Sequence, residues 1–125
     1  MEAASPARLY AATAGLFLLV LGAVGFFYYA SFGGLDEYEE ALGALRVNGW
    51  VNLLYVVAGS IGVLVAGVSS RAYALTVGVL FTLLAVVGWG TGALNLVVGL
   101  LGLAAAAGTP KPKSEPRAKP ARQSS

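Results

Sequence analysis

The side chains of this chain that could do chemistry are few, and their spacing is particular. Asn48, Asn52 and Tyr55 share a helical face with Gly59, Gly62 and Ala66, and Asn95 shares one with Gly92, Gly99, Gly102 and Ala106. Three carboxamides and a phenol in apolar surroundings do one of two things. They hold helices together by hydrogen bonds worth about 0.6–2 kcal/mol each, or they line a polar recess that admits a small ligand. A second cluster, Asp36, Glu37, Glu39 and Glu40, offers carboxylates for a divalent cation but lacks the ligand periodicity and the glycine of a calcium loop. Beyond these the inventory is empty. With no His and no Cys, the chain alone has no histidine-based haem ligation, thiolate metal site, disulfide exchange or His-based acid–base chemistry. No nucleophile-elbow, P-loop or zinc-protease motif occurs either. No catalytic, metal or cofactor-binding residue is expected, and the chain does not read as an enzyme.

The elements that hold those side chains are set by composition. Of 125 residues, 58% are hydrophobic and 11% charged, whereas charged residues make up about 25% of a soluble domain. The lipid bilayer is therefore the expected surrounding. Uncharged runs long enough to read as spans fall at about 9–29, 47–68, 72–90 and 92–107. No alternating ten-residue pattern is present, so helices rather than a barrel follow. Arg8 before the first run gives it the look of a secretory signal, but the run is longer than a signal core and no small-x-small site follows near Phe26–Phe32. It reads as a retained helix. No Asp, Glu, Lys or Arg lies inside a span, which removes the intramembrane carboxylate of a proton relay.

Charge gives the orientation. Arg8, Arg71 and the five basic residues from Lys111 to Arg122 fall on one side of a four-span topology, and the acidic cluster falls on the other with Arg46 as its one basic residue. The positive-inside rule puts both termini in the cytoplasm of a multi-pass plasma-membrane protein.

Residues 7–26 and 70–89 are one segment written twice: ARLYAATAGLFLLVLGAVGF and SRAYALTVGVLFTLLAVVGW share Arg, Tyr-Ala, Thr, Gly and a late Val-Gly. Each copy runs into a second apolar stretch, so the duplicated unit is a helical hairpin. Both hairpins enter from the same side, which makes the repeats parallel. Ala11, Gly15, Gly22 and Gly25 form a small-residue line on the first span, repeated as Ala74, Gly78, Ala85 and Gly88 on the third. With Gly59, Gly62, Gly99 and Gly102 on spans two and four, these predict close approach of helix backbones. Tyr28, Tyr29, Trp50 and Trp89 are expected at the outer interface, and Tyr10 and Tyr73 at the inner one.

Outside the spans, Leu35, Tyr38, Leu42 and Leu45 recur at helical spacing opposite the carboxylates and predict a short extracytoplasmic interfacial helix over about 35–45. The tail 108–125, TPKPKSEPRAKPARQSS after Gly108, is basic and Pro-rich and is expected to be disordered, either as a plain solvated tail or as a segment attracted to anionic lipid.

The Arg-x-Tyr-Ala starts of spans one and three, the Asn52-x-x-Tyr55-x-x-x-Gly59 and Gly92-x-x-Asn95-x-x-x-Gly99 starts of spans two and four, and the tandem hairpins resemble the domain of unknown function 4383 family, small four-span bacterial membrane proteins. The resemblance covers about residues 6–107. In that family His commonly stands where this chain has Tyr55 and Asn95, and His-Asn or Asp-Asn where it has Val51-Asn52 and Thr91-Gly92. The resemblance implies a plasma-membrane protein and carries no chemistry over. The expected fold is all-α: an integral membrane four-helix bundle, residues 1–107, made of two tandem parallel hairpins plus the interfacial helix. Its expected role is structural or interactive, as an accessory subunit or self-associating bundle. The alternative is a small carrier or lipid-binding protein that uses an outward recess at Asn52, Tyr55 and Asn95. Expected partners are the bilayer and either another membrane protein or a second copy of the chain, with no nucleic acid.

Overall fold

The computed structural model describes residues 4–34, 37–41 and 45–111. Four helices carry the fold: α1 Pro6–Tyr28, α2 Gly49–Val65, α3 Ser70–Val87 and α4 Gly92–Ala107. Their starts are chemically marked. Ser5 caps α1, its Oγ accepting from the N–H of Arg8 at 3.1 Å, with Pro6 in the first turn, where a missing N–H costs nothing. Asn48 caps α2 in the same way, its Oδ1 accepting from Val51 N at 2.7 Å. The stops are marked too: α3 ends where Gly88 takes φ +78°, the left-handed conformation that glycine adopts without strain. These caps make α2 and α3 shorter than the uncharged runs around them, whereas α4 occupies 92–107 as expected. Two helices, Pro6–Phe27 and Ser70–Val87, are long and apolar enough to cross a membrane; α2 and α4 are shorter apolar helices.

The segment between α1 and α2 differs from expectation. Instead of an interfacial helix over 35–45, the chain forms two short antiparallel strands, β1 Glu39–Ala41 and β2 Leu45–Val47, with Glu39 opposite Val47 and Ala41 opposite Leu45. Residues 35–36 and 42–44 of the expected helix lie outside the described residues, as does 112–125 of the tail. The physical reason is local. An isolated helix below about 12–15 residues is marginal, and Gly43 costs such a helix a further ~1 kcal/mol. A hairpin also returns the chain to the start of α2, where Asn48 Nδ2 donates to the Glu37 carbonyl at 3.0 Å and Gly49 N–H to that of Ser31 at 2.7 Å.

Helix packing reproduces the sequence repeat. Consecutive helices run antiparallel, and the close backbone approaches join α1 to α2 and α3 to α4. The second hairpin repeats the first: Tyr10 matches Tyr73, Ala11 matches Ala74, and fully buried Leu18 matches fully buried Phe81. The rings of Tyr10 and Tyr73 meet at 6.1 Å, at one level of two parallel helices. The hairpins are thus parallel copies about an axis along the bundle.

Candidate functional site

The asparagines of the helices point inward, and many large apolar side chains point outward. Asn48, Asn52, Ser70 and Asn95 are at most 1% exposed, whereas Leu9, Phe27, Leu64, Val86 and Val87 are 70–89% exposed. A water-soluble helical protein has the opposite arrangement, because burying an apolar side chain is favourable by about 1.5–3 kcal/mol.

The four polar residues singled out from sequence are gathered at the end of the bundle that carries the α3–α4 turn and the strands, and each is tied to backbone or to another of the four. Asn48 serves as the α2 cap. Asn52 reaches from α2 to α1, its Nδ2 donating to the Tyr29 carbonyl at 2.9 Å. Tyr55 donates its hydroxyl to Asn95 Oδ1 at 2.7 Å, which joins α2 to α4. Asn95 Nδ2 donates to the Trp89 carbonyl at 2.7 Å, closing the turn between α3 and α4. The Tyr55 ring stacks on Phe81 with centroids 5.8 Å apart. Tyr55 and Asn95 occupy matching positions in the two hairpins, so this bond joins the halves across their axis. Tyr38, beside β1, accepts from Gly90 N–H at 2.9 Å and ties the outer segment to the same turn.

Among the described residues two buried side-chain oxygens have no hydrogen-bond donor, Asn52 Oδ1 and Thr82 Oγ1. Each faces a glycine of the partner helix, Gly25 and Gly99 respectively. The glycines make room for polar atoms that would otherwise hold the helices apart, and the contact is with backbone rather than with a recess. A weak Cα–H···O contact is the compensation available there.

The expected glycine stripes are largely where the repeat puts them. A Cβ added to Gly15 would lie 2.9 Å from the Gly59 carbonyl oxygen, and one on Gly59 would strike Leu19 N and the Gly15 carbonyl oxygen. In the second hairpin a Cβ added to Gly78 would lie 3.0 Å from Gly99 O and 2.7 Å from Leu103 N. Gly22 abuts the Asn52 carbonyl oxygen and Val56. Gly62 and Gly102 make room for the Tyr73 and Tyr10 hydroxyls, which would lie 2.6 and 2.9 Å from a Cβ added at each. Gly88 is a correction: a Cβ there meets nothing within 4 Å, so it ends α3 and lines no interface. Its match to Gly25 in sequence hides two different jobs, because α1 continues past Gly25 and α3 stops.

Tyr10 and Tyr73 are the residues that sequence misplaced. Instead of an interfacial belt, they are buried bolts. Tyr10 on α1 donates to the Val98 carbonyl of α4 at 2.8 Å, and Tyr73 on α3 donates to the Ala58 carbonyl of α2 at 2.7 Å. Each hairpin thus bonds reciprocally to the other. The signal was present in the duplication itself, since the two tyrosines face matching glycines, Gly102 on α4 and Gly62 on α2. The acidic cluster lies partly outside the described residues, and among those described no group of three or more His, Cys, Asp or Glu side chains is placed to hold a metal.

Comparison with known families matches the chain to the family described as Domain of unknown function (DUF4383), over residues 8–95. No curated protein matches the chain, and no solved structure does.

Proposed function

Since this chain belongs to the DUF4383 family, whose description assigns no activity, we propose a role read from its own residues: a four-span plasma-membrane bundle, both termini cytoplasmic, acting as a structural or interaction protein without catalysis. One observation carries the reading, the inverted distribution of polarity. Asparagines inside and Leu, Val and Phe outside suit a surrounding of lipid tails, where apolar exposure costs nothing and unpaired polar groups are expensive. Helices α2 and α4, at ~26 and ~24 Å, come close to the ~30 Å hydrocarbon core when their flanking residues are counted. Arg8 and Arg71 share the end opposite the strands, which supports the cytoplasmic placement of that end.

The non-catalytic reading follows from where the polar atoms are used. Asn48, Asn52, Tyr55 and Asn95 bond to backbone or to one another, which favours helix packing over a ligand recess. An outer surface dominated by aliphatic side chains is then what the protein offers to a membrane partner or a second copy. Alkaline extraction of membranes followed by in-cell crosslinking tests this. The chain should stay in the pellet and crosslink to one dominant neighbour or to itself; extraction into the supernatant contradicts the membrane role, and the lack of a dominant neighbour contradicts the interaction role.

A further inference from the structure

Two grooves run along the sides of the bundle where the hairpins meet. One, between α1 and α4, encloses about 690 Å³, and the other, between α2 and α3, about 340 Å³. The grooves are images of each other under the repeat: Thr13 stands where Thr76 stands in the other, Phe17 where Leu80 stands, and Val97 where Val57 stands. The wall of each includes the tyrosine whose hydroxyl is bonded to the opposite hairpin, so what remains facing outward is apolar. On α1 and α3 the linings, 6–17 and 69–80, lie toward the end that holds the arginines, and on α4 and α2 they run over 94–105 and 54–65, most of each helix. From Leu94 to Ala105 the rise along α4 is ~16 Å, against ~15 Å for one leaflet of a ~30 Å hydrocarbon core.

Each groove ends beside a cation. Arg71 Nε donates to the Thr109 carbonyl at 3.2 Å, and Thr109 Oγ1 bonds Ala7 N–H and the Ala105 carbonyl at the mouth of the α1–α4 groove. The Arg8 guanidinium packs against Gly67, two residues before Ser69 at the mouth of the α2–α3 groove. An apolar slot about one leaflet long, with a guanidinium beside its mouth, complements one kind of molecule. A phospholipid would lay an acyl chain in the slot and present its phosphate to the Arg fork, which matches that geometry. The chain's own tail does not fit: it has no large apolar side chain, and its charge repels the arginines.

We infer that the two grooves are paired binding sites for anionic phospholipids of the leaflet facing Arg8 and Arg71. The inference rests on the membrane-spanning reading above and deepens it. Native mass spectrometry of the full chain, delipidated in detergent and titrated with phosphatidylglycerol or phosphatidylcholine, tests it. Up to two phosphatidylglycerol molecules should be retained, with phosphatidylcholine bound several-fold more weakly. Thr13 and Thr76 are exposed, so Thr13→Trp and Thr76→Trp fill one groove each without entering the core, and each should remove one bound lipid while thermal melting stays unchanged. Arg8→Gln and Arg71→Gln should each weaken phosphatidylglycerol binding about fivefold and leave phosphatidylcholine binding unaltered.

Four results overturn the proposal: a wild-type chain that retains no lipid, equal affinity for the two lipids, unchanged stoichiometry in both Trp variants, or a dimer that displaces lipid, which would make a second copy the occupant. Alkaline extraction of the same protein separates the two claims. A chain that resists extraction but binds no lipid loses the grooves and keeps the spanning role, whereas a chain released from membranes loses both.

Discussion

The contact within each hairpin and the contact between hairpins are built from different chemistry. Within a hairpin, α1 meets α2 and α3 meets α4 backbone to backbone, glycine against carbonyl, with no space for a single added carbon. Between hairpins the helices stand further apart, joined by two tyrosine hydroxyls reaching helix carbonyls and by the Tyr55–Asn95 bond, with a groove left on each side. The first kind of contact is rigid and dry. The second is sparse and directional, and its strength lies in a few bonds. A hairpin is therefore the unit of packing, and the junction of hairpins is where the molecule has room for a ligand.

Substitution at the tight contact should have the largest effect. In Gly59→Leu the new side chain runs into Leu19 N and the Gly15 carbonyl oxygen, backbone atoms that cannot turn aside, and the loss should be at least ~3 kcal/mol in detergent unfolding. Gly99→Leu should match it in the second hairpin. Wild-type stability in either variant would break the distinction between the two contacts.

Next in size is Asn95→Leu, which removes the acceptor of Tyr55 and the donor to Trp89 and should cost about 1–2 kcal/mol. Since its bonds lie between helices rather than around a ligand, the same variant should leave lipid stoichiometry in native mass spectrometry unaltered. Tyr10→Phe and Tyr73→Phe should each cost about 1 kcal/mol by loss of one buried bond. With the rings 6.1 Å apart, the double variant should depart from additivity in a double-mutant cycle; strict additivity would mean that the two bolts do not share one junction.

The smallest effect sharpens the comparison by setting one glycine against another in the same stripe. Gly88→Ala incurs only the left-handed backbone strain of ~1 kcal/mol, because nothing lies within 4 Å of the added carbon. Gly78→Ala, with Leu103 N at 2.7 Å, must push α4 away and should cost more. Equal effects in thermal denaturation would show that the stripe is a sequence pattern without a packing consequence.

Much of this was legible in the chain. The duplicated Arg-x-Tyr-Ala follows from the repeat, the spacing of Gly15, Gly59, Gly78 and Gly99 from helical periodicity, and the bounds of α4 from its uncharged run. The matching of Tyr55 with Asn95 follows from the repeat, but their bond does not, since it depends on how far apart the hairpins settle. The interfacial helix failed because Leu35, Tyr38, Leu42 and Leu45 fit a helical period over a segment too short to hold one, and the tertiary need to return to α2 prevailed. Tyr10 and Tyr73 were misplaced because depth from the membrane surface reads the same for a belt residue and for one turned inward; only the neighbouring helix distinguishes them. Gly88 shows the converse limit, a position kept by duplication whose role changed because the second copy ends a turn sooner.

Topology tests the central claim most directly, and a chain without cysteine makes the measurement clean. Single variants Glu37→Cys and Lys111→Cys, both at exposed positions at opposite ends of the bundle, are treated with a membrane-impermeant maleimide on intact cells and again after permeabilisation. A bundle with both termini inside labels at position 37 on intact cells and at position 111 only after permeabilisation. Labelling of both from outside, or of position 111 alone, contradicts it.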